Sequence, residues 1–99
     1  MLQVLVTIIT QLITHFVKTV IIIMEKEQIL KKFGEHIKRI RESADLSQDD
    51  VVLNGNRITK ATVSDIENGK RNFSFTTLID LAKGLGKTPK ELLDIDLEK

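Results

Sequence analysis

Between Leu46 and Asn72 the chain reads LSQDDVVLNGNRITKATVSDIENGKRN. Within it Lys60, Ala61, Ser64, Asp65 and Asn68 recur at helical spacing, so they share one side of a helix. Val63 and Ile66 are the large apolar residues of that segment, and they turn to the other side, toward a core. An outward row of ammonium, methyl, hydroxyl, carboxylate and amide groups suits the edges of nucleic-acid bases. Lys60 can donate to guanine O6 and N7 or to a phosphate, Ser64 can pair with several bases, and Ala61 can pack on a thymine methyl. Asp65 repels phosphate yet can accept from cytosine N4; a solvated acid at the groove edge is an equal reading. Lys70, Arg71 and Asn72 follow the segment and suit phosphates, which position a protein without reading sequence. Plain surface charge is the alternative for Lys70 and Arg71. Gln48 is either a phosphate contact or an ordinary first-turn residue.

Local stop and start signals define the elements that must position these groups. Ser47 can cap a helix, with Leu46 and Val51 at the two staple positions and Asp50 where a capping-box acid belongs. Asn54-Gly55-Asn56 ends that helix, since these residues tolerate positive φ. Thr59 caps the next, stapled by Ile58 and Val63, and Asn68-Gly69 ends it with a left-handed cap. Two short helices joined by a polar turn are the plan of a helix-turn-helix, whose second helix enters the DNA major groove. Ser74 caps a further helix, stapled by Phe73 and Leu78. Leu78, Leu81, Ala82 and Leu85 form its inner face, and Gly86 ends it. Thr88-Pro89-Lys90-Glu91 starts a last one. Upstream, Ile29, Leu30, Phe33, Ile37, Ile40 and Ala44 make one buried stripe, predicting a helix over about 26–43. The expectation is an all-α domain with short connections.

Residues 1–23 differ in kind. They are apolar, rich in β-branched side chains and free of acids. Gln3, Thr7, Thr10, Gln11, Thr14, His15 and Lys18 recur at steps of three and four, a polar stripe on a helix. One reading is an amphipathic helix covering an apolar patch on its own domain or on a twin subunit. A second is a start-site artefact, because Met24 opens a charged, helix-forming stretch. The third, ranked below both, is a membrane anchor: about 1.5 Å per residue gives roughly 30 Å. A cleaved signal peptide lacks its basic n-region and its small-residue cleavage site.

Ninety-nine residues make one domain with a modest core. All four aromatics are Phe, so that core rests on Leu, Ile and Val. The absence of cysteine removes disulfides, thiolate chemistry and Cys-based metal sites, and fits the cytoplasm. A net charge of +1 leaves DNA affinity to the local placement of Lys and Arg. Basic residues gather at Lys31, Lys32, Lys38, Arg39 and Arg41 and around the turn, whereas Glu91, Asp94, Asp96 and Glu98 crowd the C-terminal end. His15 and His36 have no Asp, Glu or Cys at metal spacing. There is no Gly-rich phosphate loop and no nucleophile with a His partner. The expectation is no enzyme, no metal and no cofactor.

The chain resembles the Cro/C1-type (Xre-like) helix-turn-helix regulators over about residues 33–95. The resemblance rests on Phe33-Gly34 through Arg41, Leu46-Ser47-Gln48, Thr59 to Glu67, Asn68-Gly69-Lys70-Arg71-Asn72, Leu78 to Gly86 and Glu91-Leu92-Leu93. It implies a five-helix lambda-repressor-like DNA-binding domain over 24–99, with an extra apolar helix over 1–23. It further implies a recognition helix at Lys60 to Glu67, a homodimer on a near-palindromic duplex, a DNA contact by Gln48 and a salt bridge between Arg41 and Glu67. There are three departures from the family pattern. The turn, with Gly55-Asn56-Arg57, is one residue longer. Val52 replaces an Ala at a close helix approach. Asp45 replaces a Gly before the second helix. A tilted helix would bring Arg57 to the groove in place of Ser64.

The expected function is therefore a sequence-specific DNA-binding transcriptional regulator, a repressor. Its candidate contacts are Gln48, Arg57, Thr59, Lys60, Ala61, Ser64, Asp65, Asn68, Lys70, Arg71 and Asn72. Two alternatives are an antitoxin holding a partner protein and a membrane-tethered regulator.

Overall fold

A 42-residue helix, α1 (Leu2–Ser43), sets the shape of the chain. The computed structural model describes residues 1–97, so Glu98, counted above among the C-terminal acids, and Lys99 lie outside it. After α1 come α2 (Gln48–Gly55), α3 (Lys60–Glu67), α4 (Phe75–Leu85) and α5 (Pro89–Leu92). The last four pack around the C-terminal part of α1, while its N-terminal half projects alone. The molecule is 66 Å long but only 24 × 18 Å in section.

The N-terminal ends of α2 to α5 follow the local signals. Ser47, Thr59, Ser74 and Thr88 each accept from the backbone N–H three residues on. Ser47 and Asp50 form a reciprocal box: Asp50 N–H donates to Ser47 Oγ at 3.0 Å and Ser47 N–H to the Asp50 carboxylate at 2.8 Å. Those bonds satisfy donors that a helix start leaves orphaned. They also hold the Asp50 carboxyl below its ordinary pKa, the backbone bond from Ser47 being the larger cause.

The core joins Phe33 and Ile37 of α1, Val51 of α2, Ile58 of the turn, Val63 and Ile66 of α3, the inner face of α4 and Leu92 of α5. All three predicted staples close on it, with Leu46 and Phe73 packed against its rim. Fully burying one such side chain contributes roughly 1.5–3 kcal/mol. In so small a core each one counts.

Two close approaches fix how the helices cross. A Cβ on Gly34 would stand 2.2 Å from the Ile66 carbonyl oxygen, so α1 and α3 touch backbone to backbone there. A Cβ on Gly84 would stand 2.5 Å from the Val51 carbonyl oxygen, which sets α2 against α4.

Three expectations change. The apolar segment is helical, but it is no separate extra helix: it runs into the first domain helix without a break, since no Gly or Pro interrupts residues 1–33. It covers nothing on its own domain, and Leu2 through Ile23 are exposed throughout. The inner stripe of α1 is also shorter than its sequence pattern. Ile29 and Ala44 lie exposed, because packing against α3 begins near Lys31 and α1 ends at Ser43. Asp45 then adopts φ 56°, the left-handed turn that a Gly takes without strain.

Candidate nucleic-acid interface

α3 starts on the Thr59 hydroxyl, which accepts from Thr62 N–H at 3.1 Å and lies 2.9 Å from the Thr62 hydroxyl. It ends as predicted. Gly69 takes φ 69°, and Lys70 N–H reaches back to the Asp65 carbonyl at 2.8 Å. Val63 and Ile66 are 0% and 1% exposed, so their burial fixes the rotation of the helix. The opposite side carries the exposed Lys60, Ala61 and Asn68, with Ser64 and Asp65 half-buried beside them.

A buried clamp holds the far end of α3. The Arg41 guanidinium meets the Glu67 carboxylate with two bonds, Nε to Oε2 at 2.7 Å and Nη2 to Oε1 at 3.0 Å. Its Nη1 donates to the Leu46 carbonyl at 2.8 Å, which ties the α1–α2 link to the same cation. Gln48 Nε2 adds a bond to Glu67 Oε1 at 3.2 Å. One carboxylate therefore joins α1, α2 and α3. The bond to Glu67 raises the Arg41 pKa above its ordinary value and, with the attraction of Glu67 and Glu42, outweighs the opposing effect of burial. The salt bridge implied by the resemblance is present. Gln48 is half-buried and engages Glu67, a role its sequence position did not disclose.

Three of the candidate cations, Lys60, Arg71 and Arg57, face an acid. Lys60 Nζ lies 3.2 Å from Asp49 Oδ1 across the α2–α3 corner. Arg71 Nη2 lies 3.2 Å from Asp65 Oδ2, which returns the segment after α3 onto the helix. Asn68 Nδ2 donates to Ser64 Oγ at 3.3 Å. Arg57, in the turn, is 80% exposed and only 3.7 Å from Asp80 Oδ1. Lys70 and Asn72 are exposed next to Arg71. Exposed pairs of this kind are worth about 0–1 kcal/mol, so a phosphate can take either cation from its acid. Asp49, Thr62 and Asp80 escaped the sequence reading. Thr62 stands three residues after the Thr59 cap, so its spacing was a usable signal, whereas Asp49 and Asp80 meet Lys60 and Arg57 only once the helices have docked.

The turn departs less than its length suggests. Asn56–Thr59 link α2 to α3, and Asn56 alone takes the left-handed conformation, φ 69°. Arg57 N–H closes onto the Gly55 carbonyl at 2.9 Å. Val52 fits as a half-buried residue packed against the core.

A rigid basic-and-polar helix face, backed by a core and flanked by cations, is suited to lie in a groove of duplex DNA. Comparison with known proteins agrees with that geometry. The model of the helix-turn-helix family matches residues 37–92. The chain is 41% identical over 69 residues to control protein C.MunI from Mycoplasma sp, covering 69% of this chain and 90% of that protein. Among solved structures it resembles the restriction-modification controller protein C.AhdI from Aeromonas hydrophila, with 31% identity and a TM-score of 0.60, over 65% of this chain and 96% of that one. It also resembles the controller protein C.Esp1396I, solved as a tetramer on its natural 35 base-pair operator, with 27% identity and a TM-score of 0.61, over 67% and 86% of the two chains.

Proposed function

We propose, from the premise that this chain belongs to the helix-turn-helix family and is a sequence-specific DNA-binding transcriptional regulator, that it is a repressor controlling restriction-modification genes. The supporting observation for groove reading is the Arg41–Glu67–Gln48 clamp. It fixes the C-terminal end of α3 and leaves Lys60 and Ala61 presented at its N-terminal end. That end enters the major groove, where Lys60 meets a guanine edge or a phosphate and Ala61 a thymine methyl. Ser64 reads a neighbouring base, and Thr59 and Gln48 approach the phosphates beside it. Lys70, Arg71 and Asn72 track the backbone beyond the helix. Arg57, exposed in the turn, extends the cationic rim. The likeness to C.MunI, C.AhdI and C.Esp1396I supports the controller role and a homodimer on a near-palindromic operator.

Selection from a random duplex library by the purified protein tests this reading. The expected product is a two-fold symmetric site with half-sites about one helical turn apart. It should recur ahead of the chain's own gene and of the endonuclease or methyltransferase genes it governs. Recovery of no preferred duplex at low salt would overturn groove reading. A preferred duplex remote from such genes would overturn the controller role alone.

A further inference from the structure

DNA reading leaves the apolar half of α1 without a role. Its most apolar 18-residue window is 0% buried, although Leu12, Ile13 and Phe16 are 65%, 58% and 68% exposed. Its own domain gives no cover, because the helix points away from it. A second copy would cover too little. At about 100° per residue, Leu5, Ile9, Leu12, Phe16 and their neighbours span roughly half the circumference, and Val4, Ile21 and Ile22 lie outside that arc. A helix pair buries only a narrower seam. A lipid bilayer surrounds a helix completely.

We infer that residues 2–24 cross a lipid bilayer once and hold the DNA-reading domain on the cytoplasmic side. The segment is long enough, since 23 residues at about 1.5 Å each reach roughly 35 Å, against a hydrocarbon core of about 30 Å. Its threonines need no water. Thr7, Thr10, Thr14 and Thr19 each donate to the carbonyl one turn back, at 2.9, 2.8, 2.9 and 3.0 Å. Lys18 is the single Lys or Arg before Lys26 and lies within about 9 Å of the segment's end, where a long side chain reaches the interface. Gln3, Gln11 and His15 are the polar cost; Gln3 lies at the outer end of the span, and Gln11 and His15 share one stripe with Lys18, away from the Leu12–Phe16 side. Lys26, Lys31, Lys32, Lys38, Arg39 and Arg41 follow the span, and a cluster of Lys and Arg beside a span marks the cytoplasmic side.

This inference goes beyond DNA reading and does not depend on it. The chain contains no cysteine, so Gln3→Cys introduces a unique thiol at the outer end of the span and Glu35→Cys one in the domain beyond its inner end. In intact bacteria making the full chain, a membrane-impermeant maleimide should label Gln3→Cys and leave Glu35→Cys unlabelled until lysis. The full chain should resist carbonate extraction and float with phosphatidylethanolamine–phosphatidylglycerol vesicles. Ile13→Glu, near the middle of the span, should lower the membrane-bound fraction about tenfold or more, with DNA affinity in detergent unchanged. A carbonate-soluble full chain, equal labelling of both thiols, or full membrane retention of Ile13→Glu would overturn the inference. Recovery of the full chain as a discrete soluble oligomer would overturn it in favour of a second copy. DNA affinity, measured separately on the same protein, distinguishes that failure from a failure of the regulator reading.

Discussion

Glu67 is the buried charged side chain among the described residues, and what surrounds it decides how firmly α3 stands. Its side chain is 3% exposed and that of Arg41 12%. Removing one partner strands the other charge out of water, which costs about 3–5 kcal/mol. Arg41→Met should therefore lower unfolding free energy by that order in urea melts, and DNA affinity should fall with it. A loss below about 1 kcal/mol would mean that the pair does not hold the helix. The pair was legible only through the family pattern, since no spacing rule links positions 41 and 67. The Gln48 bond to the same oxygen was not legible, because it exists only once α2 and α3 have docked. Ser47 and Asp50 are different: three residues apart, they were readable as a box from sequence alone. The folded state holds Asp50 below the ordinary carboxylate pKa, so its charged form favours folding above that value. That contribution is lost as the pH falls through the lowered folded-state pKa. Ser47→Ala should thus cost most stability near neutral pH, and the gap from the parent should narrow in acid. Chemical denaturation at several pH values between neutral and strongly acidic would show it; a gap that widened in acid would contradict the cause assigned here.

At the scale of elements, the caps made the fold readable. Ser47, Thr59, Ser74 and Thr88 mark the starts of α2 to α5, because capping is local chemistry between a hydroxyl and the backbone three residues on. The boundary drawn at Met24 marks a change of composition, but no helix ends there. A backbone ladder registers Gly, Pro and caps, not a shift from apolar to charged side chains, so α1 continues through it. The crossings were illegible for another reason. Gly34 reads as an unremarkable helix residue until α3 arrives against it. Gly34→Ala would force a methyl into the Ile66 and Glu67 carbonyls, at 2.2 and 2.7 Å. Backbone cannot swing aside as a side chain does, so the expected loss is about 1–3 kcal/mol or more. It should come with weaker DNA binding, since the displaced element is α3. Glu35→Ala, next along the same helix but exposed, serves as the control and should change stability by about 0.5 kcal/mol or less. Equal stabilities for the two variants would contradict the close crossing.

Across the whole molecule, the face proposed to read DNA is one small area with clustered cations on a nearly neutral chain of net charge +1. Its behaviour depends on how each cation is shared between an acid and the duplex. Lys60 sits at the N-terminal end of α3, the end proposed to enter the groove, and its partner Asp49 lies on the neighbouring helix. Lys70 lies past the end of α3, where the proposed docking places the phosphate backbone. Lys60→Ala should therefore cost about 1–3 kcal/mol on the preferred site and relax preference at one base position. Lys70→Ala should weaken all sequences alike and reduce the salt slope by about one unit. Arg71 adds a third arm, because Asp65 holds it at 3.2 Å and competes with phosphate for the same guanidinium. Asp65→Asn should free that cation and remove a repelling acid, raising affinity for unrelated duplexes and narrowing the margin of the preferred one. Affinities of the three variants on a matched panel of sites, each at several salt concentrations, separate these effects. If Lys70→Ala shifts the preferred sequence and Lys60→Ala does not, α3 enters the groove by its other end. If Asp65→Asn instead weakens every site, the acid reads a base, and cytosine N4 at that position becomes its partner.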